Sequence, residues 1–149
     1  MIRAKLKVLL IDDDKEFLNL YYIYTEKHNK DLKIIPLTIQ NPRQILRAVR
    51  DKRPDVIVCD LEMPQLSGLE VLHLLLSKQY NIPFILCSSR NQEELRNISS
   101  EENIDYFIEK SIPIELTFEE LTSLIHKSYR GHKISQKTSS KKNRAVKNY

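Results

Sequence analysis

Four short, continuous apolar runs punctuate the chain: Val8-Leu-Leu-Ile11, Val56-Ile-Val-Cys59, Phe84-Ile-Leu-Cys87 and Tyr106-Phe-Ile108. None alternates apolar with polar positions, so each predicts a strand covered on both faces. A fifth candidate, Lys33-Ile-Ile-Pro36, comes second in chain order. Its proline has no N–H to give to a ladder, which places that strand at a sheet edge. Helical spacing fills the gaps. The first helix, from about Asp14 to His28, keeps Phe17, Leu20, Tyr21 and Tyr24 on one side. Asn41 and Pro42 with Gln44 supply a cap, a first-turn proline and an N3 amide before Ile45, Leu46 and Val49. Ser67 with Glu70, Asn91 with Glu94 and Thr117 with Glu120 repeat the start signal ahead of apolar stripes. The last helix gathers Phe118, Leu121, Leu124 and Ile125 on one face and is expected to stop near Gly131. Strand and helix alternate five times, which predicts an α/β domain with a doubly wound, five-stranded parallel sheet and five helices. Right-handed crossovers then place ligands beyond the carboxyl ends of the strands.

Composition narrows the class without naming a task. A chain of 149 residues with 41% hydrophobic and 30% charged positions can bury a core and is not a disordered polymer. Two cysteines cannot build a disulfide framework, which points to a reducing, cytoplasmic setting. The basic start is followed by an apolar run that ends at Asp12, too short for a signal peptide or a membrane span. The net charge of +4 hides an asymmetry. Six of the 24 basic residues and none of the 20 acidic ones lie in residues 131–149, which leaves 18 basic against 20 acidic over residues 1–130. Residues 1–130 are therefore read as the folded domain and residues 131–149 as a basic, disordered tail. That tail is either a solvated extension or an electrostatic dock for nucleic acid, an acidic partner or a membrane surface.

The strand ends carry the chemistry. Asp12 and Asp13 follow the first strand, Asp60 the third, Ser88 the fourth and Lys110 the fifth. A parallel sheet opens all these ends on one edge, so three carboxylates, a hydroxyl and an ammonium converge. Clustered carboxylates need a cation, and oxygen ligands with retained waters fit Mg²⁺. The lysine opposite suits an arriving anion such as phosphate.

In that order and spacing, "VLLIDDD", "DVIVCDLEMPQLSG", "FILCSS" and "FIEKS" resemble the receiver domain of two-component response regulators, over about residues 5–130. The resemblance implies a flavodoxin-like strand order 2-1-3-4-5 and a stand-alone receiver similar to the chemotaxis response regulator. Asp60 would accept a phosphoryl group from a histidine kinase. Asp13, Asp60 and the backbone carbonyl of Glu62 would hold Mg²⁺, with Asp12 orienting its waters. Lys110 and Ser88 would contact the phosphoryl oxygens, and Phe107 would switch inward with Ser88 to alter the face of the fourth helix, fifth strand and fifth helix. Asp14 would sit outside the metal site as a helix N-terminal charge. Glu62 and Arg90 occupy the family's lifetime-tuning positions and would pair across the site mouth.

Four departures touch the output side rather than the chemistry. Ser88 stands where threonine is commoner, and Ser111 rather than proline follows Lys110. The segment from Ser111 to Leu116 is longer than the usual connection, and Asn103 replaces a glycine at the turn into the fifth strand. The expected product is a phosphorylation-switched module that signals to a downstream protein, with no external substrate. Alternatives are a phosphorelay intermediate and a DNA-binding regulator working through the tail. A phosphatase resembling the haloacid dehalogenase group, with Asp12-x-Asp14 as its nucleophile motif, is a third class. Cys59 and Cys87 end neighbouring strands and are either two inert buried thiols or a redox pair. His28, His73, His126 and His132 show no metal-ligand spacing.

Overall fold

The computed structural model describes the backbone of residues 4–147 and side chains as far as residue 138. Ten elements alternate: β1 (Leu6–Ile11), α1 (Lys15–His28), β2 (Leu32–Leu37), α2 (Arg43–Lys52), β3 (Val56–Asp60), α3 (Gly68–Ser77), β4 (Phe84–Ser88), α4 (Gln92–Glu101), β5 (Tyr106–Glu109) and α5 (Ile114–Lys147). The sheet is wholly parallel in the order β2-β1-β3-β4-β5, with proline-bearing β2 at one edge. Among the described residues no helix is long and apolar enough to cross a membrane.

Continuous apolar strands divide their side chains between two cores. Val8, Leu10, Val58, Ile85, Cys87 and Ile108 face α1 and α5, where they meet Phe17, Tyr21, Phe118 and Leu121. Leu9, Ile11, Ile57, Cys59 and Leu86 face the other three helices through Ile45, Val71 and Leu95. This parity settles the cysteines. Cys59 is paired with Leu86, and Cys87 with Asp60, so the two thiols lie on opposite faces of the sheet. They are free and buried, and burial pushes the Cys87 thiol up to about 12 and the Cys59 thiol well above its usual value. A redox pair is excluded by direction, not distance.

Helix starts follow the cap signals in three places. Asp14 accepts from the backbone N–H of Glu16 and Phe17, Ser67 from that of Glu70, and Asn91 from that of Glu94. Asn91 also donates through Nδ2 to Glu94 Oε1 at 3.1 Å. At α2 the αR residue before Arg43 is Pro42, and Gln44 Oε1 reaches back to the Asn41 N–H at 3.1 Å.

The last helix departs from expectation at both ends. It opens at Ile114 rather than at Thr117, because Thr117 is fully buried and turned to the preceding loop. Its Oγ1 accepts from Ser111 N–H at 2.6 Å and donates to Ser111 C=O at 3.3 Å. The one cis peptide among the described residues lies in that loop at Ile112–Pro113. Nor does the helix stop at Gly131: it continues to Lys147, and Gly131 has no positive φ. A Cβ there would lie 3.0 Å from the Tyr106 hydroxyl, so this glycine serves close packing against β5, not a turn. Residues 131–147 are thus helical rather than disordered; the side chains of residues 139–149 lie outside those described. Asn103, at φ 56°, does take the left-handed conformation that a glycine would supply.

Candidate phosphoacceptor site

The carboxyl ends of β1, β3 and β4 and the residue after β5 converge as the topology demands. Asp12 follows β1 in a strand-like link, its N–H donating to Leu37 C=O at 3.2 Å. It is 1% exposed, and both its oxygens are engaged: Oδ1 accepts from Asp14 N–H at 2.9 Å and Oδ2 from Lys110 Nζ at 2.8 Å. Asp60 ends β3 and is 7% exposed, with one oxygen 3.9 Å from Lys110 Nζ. Asp13 lies exposed beside them. One oxygen from each of the three carboxylates falls within 4.8 Å of the other two.

Burial dominates the electrostatics. It pushes the Asp60 carboxyl up to about 7, against the pull of Lys110 and the Glu62 backbone amide and with help from the charges of Asp12 and Asp13. Asp12 is raised for the same reason, although Lys110 and the Asp14 amide work against the shift. Lys110 is raised in turn: its partners Asp12, Cys87 and Asp60 outweigh the burial that opposes its charge. One ammonium thus serves two buried carboxylates, a set short of positive charge. A hard divalent cation with oxygen ligands suits that donor set, to which Asp12, Asp13 and Asp60 each offer one oxygen.

Two packing roles behind the strand ends escaped the sequence. The Phe17 ring lies 4.4 Å below Lys110 Nζ, so the first helix supplies a cation–π floor that holds the ammonium in place. Its visible signal was a position four residues after Asp13, masked by an ordinary apolar stripe. Gly68 is the second. Its amide donates to Leu61 C=O at 2.9 Å, and a Cβ would come within 2.5 Å of the Asp60 carbonyl. Only glycine lets α3 start this close to the end of β3.

The remaining candidates line the mouth. Ser88 ends β4, 2% exposed, and its Oγ accepts from Arg90 N–H at 3.2 Å, a bond that does not use the serine's own proton. Glu62 and Arg90 are joined as an ion pair through Arg90 Nε, and Arg90 also reaches Glu94 at 3.6 Å. Phe107 is half-buried on β5, opposite Leu86 and packed on the core that faces α2, α3 and α4. His73 pairs with Glu102, and His126 with Asp31, both away from the acidic cluster.

The family model for the response regulator receiver domain matches residues 8–125. The chain belongs to that family, whose members are phosphorylation-switched response regulators. A protein-glutamate methylesterase/protein-glutamine glutaminase from Rhodopseudomonas palustris is 34% identical over 94 residues, 62% of this chain and 25% of that protein. A second, from Clostridium acetobutylicum, is 33% identical over 92 residues. The chain spans about a quarter of the length of these curated relatives. The receiver domain of Francisella response regulator 1452 superposes with a TM-score of 0.67 at 25% identity, covering 86% of this chain and 99% of that one. The signal receiver domain of a putative LuxO repressor protein from Vibrio parahaemolyticus gives 0.72 at 19% identity, covering 91% and 98%. The latter likeness bears on the fold alone.

Proposed function

We propose that Asp60 is the phosphoacceptor of this receiver and that a cytoplasmic histidine kinase supplies the phosphoryl group. The observation that carries this is the meeting of three carboxylates and one lysine at the carboxyl edge of the sheet, with Asp60 the buried carboxylate that, unlike Asp12, is not held by a close lysine hydrogen bond. In the transfer, an Asp60 carboxylate oxygen attacks phosphorus, the P–N bond to the kinase imidazole breaks, and its electron pair leaves with the imidazole nitrogen. The product is an acyl phosphate. Asp12, Asp13 and Asp60, with the Glu62 carbonyl, are the groups that would hold Mg²⁺, which when bound neutralises charge on the transferring oxygens. Lys110, 3.9 Å from Asp60, supplies a second positive charge, and Ser88 supplies a hydroxyl donor.

Rearrangement of Ser88 and Phe107 toward the phosphoryl group would alter the α4–β5–α5 face and so the affinity for a downstream protein. Residues 1–130 suffice for the switch in this reading, with residues 131–149 outside it. Signalling by interaction or by onward relay both fit, and neither requires an external substrate. Asp12 is a poor nucleophile by comparison, since both of its oxygens are occupied.

The test is intact-mass spectrometry after incubation with Mg²⁺ and a small phosphodonor, beside Asp60→Asn, Asp12→Asn and an EDTA control. One added phosphoryl group that needs metal and disappears in Asp60→Asn is the expected result. An adduct that survives Asp60→Asn overturns the assignment.

A further inference from the structure

The acidic site occupies one edge of the sheet, and the cations collect elsewhere. Arg43, Arg47 and Arg50 stand exposed along α2, and the four- and three-residue steps between them put them on one helix face over about 10 Å. Together with Lys78, Tyr80 and Leu46 they line an open groove of about 480 Å³. Lys78 and Tyr80 come from the turn between α3 and β4, with Tyr80 half-buried. Asp51 accepts from Arg50 Nε at 2.9 Å and offsets part of that charge. The chain runs on toward β4 past Tyr80. Its neighbour Asn81 lines a second hollow of about 150 Å³ with Lys133 and Gln136, which belong to the part of α5 beyond Gly131. A positively charged track therefore runs down α2 to Lys78 and Tyr80, whereas the adjoining hollow sets Asp55 against Lys133.

We propose that this track binds single-stranded nucleic acid, with phosphates against Arg43, Arg47, Arg50 and Lys78 and a base stacked on Tyr80. Three considerations favour a strand over other polyanions. The charge is spread along a line rather than focused on one point, which matches a phosphate backbone. A half-buried tyrosine among guanidinium groups offers the stacking platform that single strands use and that an acidic peptide does not need. The groove is open to solvent, so a strand can lie along it. The proposal stands independently of the phosphoacceptor reading, because none of its residues touches the acidic site.

The experiment is fluorescence anisotropy of labelled twelve-nucleotide single strands and matching duplexes with the full chain, as a function of salt. Single strands are expected to bind more tightly than duplexes, and four phosphate contacts give a slope of log K against log salt of about −3. Arg47→Ala with Arg50→Ala should shallow that slope by about 1.4. Tyr80→Ala should lose about tenfold in affinity with the slope unchanged. Phosphodonor-driven acylation, which uses none of these residues, serves as the folding control for each variant. Absence of binding at low salt, or binding indifferent to the arginine pair, overturns the proposal. Tighter binding of the duplex, or equal competition by poly-glutamate, overturns the single-strand assignment in favour of duplex or acidic protein.

Discussion

At the level of single residues, Asp60 has an electrostatic signature that can be measured apart from phosphorylation. Its carboxyl is raised from the usual 3.8 to about 7, chiefly by burial, so between those values the folded state holds a proton that the unfolded state has lost. The stabilising contribution is complete below about pH 4 and disappears as pH rises through about 7. Metal-free protein should therefore lose stability from pH 5 to pH 8, and Asp60→Asn should remove part of that slope and stabilise the protein at pH 8 by about 1–3 kcal/mol. Denaturant melts at both pH values check this; a wild-type slope retained in full by the variant refutes it. Added Mg²⁺ should restore the wild type at pH 8 and do little for the variant. The Glu62–Arg90 pair concerns lifetime instead. Both side chains are about half exposed, so the pair hinders attacking water only modestly. Acyl-phosphate decay should quicken by about two- to fivefold in Glu62→Ala and in Arg90→Ala, and unchanged half-lives would dismiss the gate. Asp12, Asp13, Asp60, Ser88 and Lys110 were all legible in the sequence, since each follows an apolar run and a parallel sheet gathers run ends. The Phe17 floor and the opposed cysteines were not, because ring placement and strand stagger depend on packing between elements far apart in the chain.

Elements show where local signals stop sufficing. Asp14, Ser67 and Asn91 are caps that sequence reading finds, because cap and recipient lie within three residues of each other. Thr117 carries the same signal and does something else. It is drawn one turn inside α5 because the loop from Lys110 needs its hydroxyl to satisfy both backbone groups of half-buried Ser111. Thr117→Val keeps the shape and removes that partner, which should cost about 1–3 kcal/mol in a denaturant titration. A loss below a few tenths would show that the loop does not depend on the bond. Gly68 makes the complementary case at α3. Its Cβ would fall 2.5 Å from the Asp60 carbonyl, so Gly68→Ala must shift β3 against α3, at about 1–3 kcal/mol. Because the displaced atom belongs to the phosphoacceptor, acylation by a small phosphodonor should slow as well. Normal acylation with reduced stability would mean that α3 gives way and the strand end does not.

For the whole molecule, the open question is what belongs to the folding unit. Sequence composition divides the chain near Gly131, and the helix ignores that division, since lysine, serine and glutamine neither cap nor break it. Packing, however, respects it. Among the described residues the buried side chains of α5 end at Ser128, and Lys133 to Thr138 are all exposed. Hydrophobic burial, not helical continuity, supplies most of a domain's stability. Deleting residues 131–149 should therefore leave cooperative unfolding with a midpoint within about 3 °C of the full chain, and leave acylation of Asp60 intact. The same deletion removes six of the 24 basic residues and no acid, which turns the net charge from +4 to −2. Any long-range attraction of polyanions that depends on total charge should then weaken, while the arginine groove of α2 remains in place. A truncated chain that melts much earlier would show that contacts such as Gly131 against Tyr106 tie the extension into the core. The switch would then extend along α5 past Gly131, carrying phosphorylation at the carboxyl edge of the sheet to the helical extension.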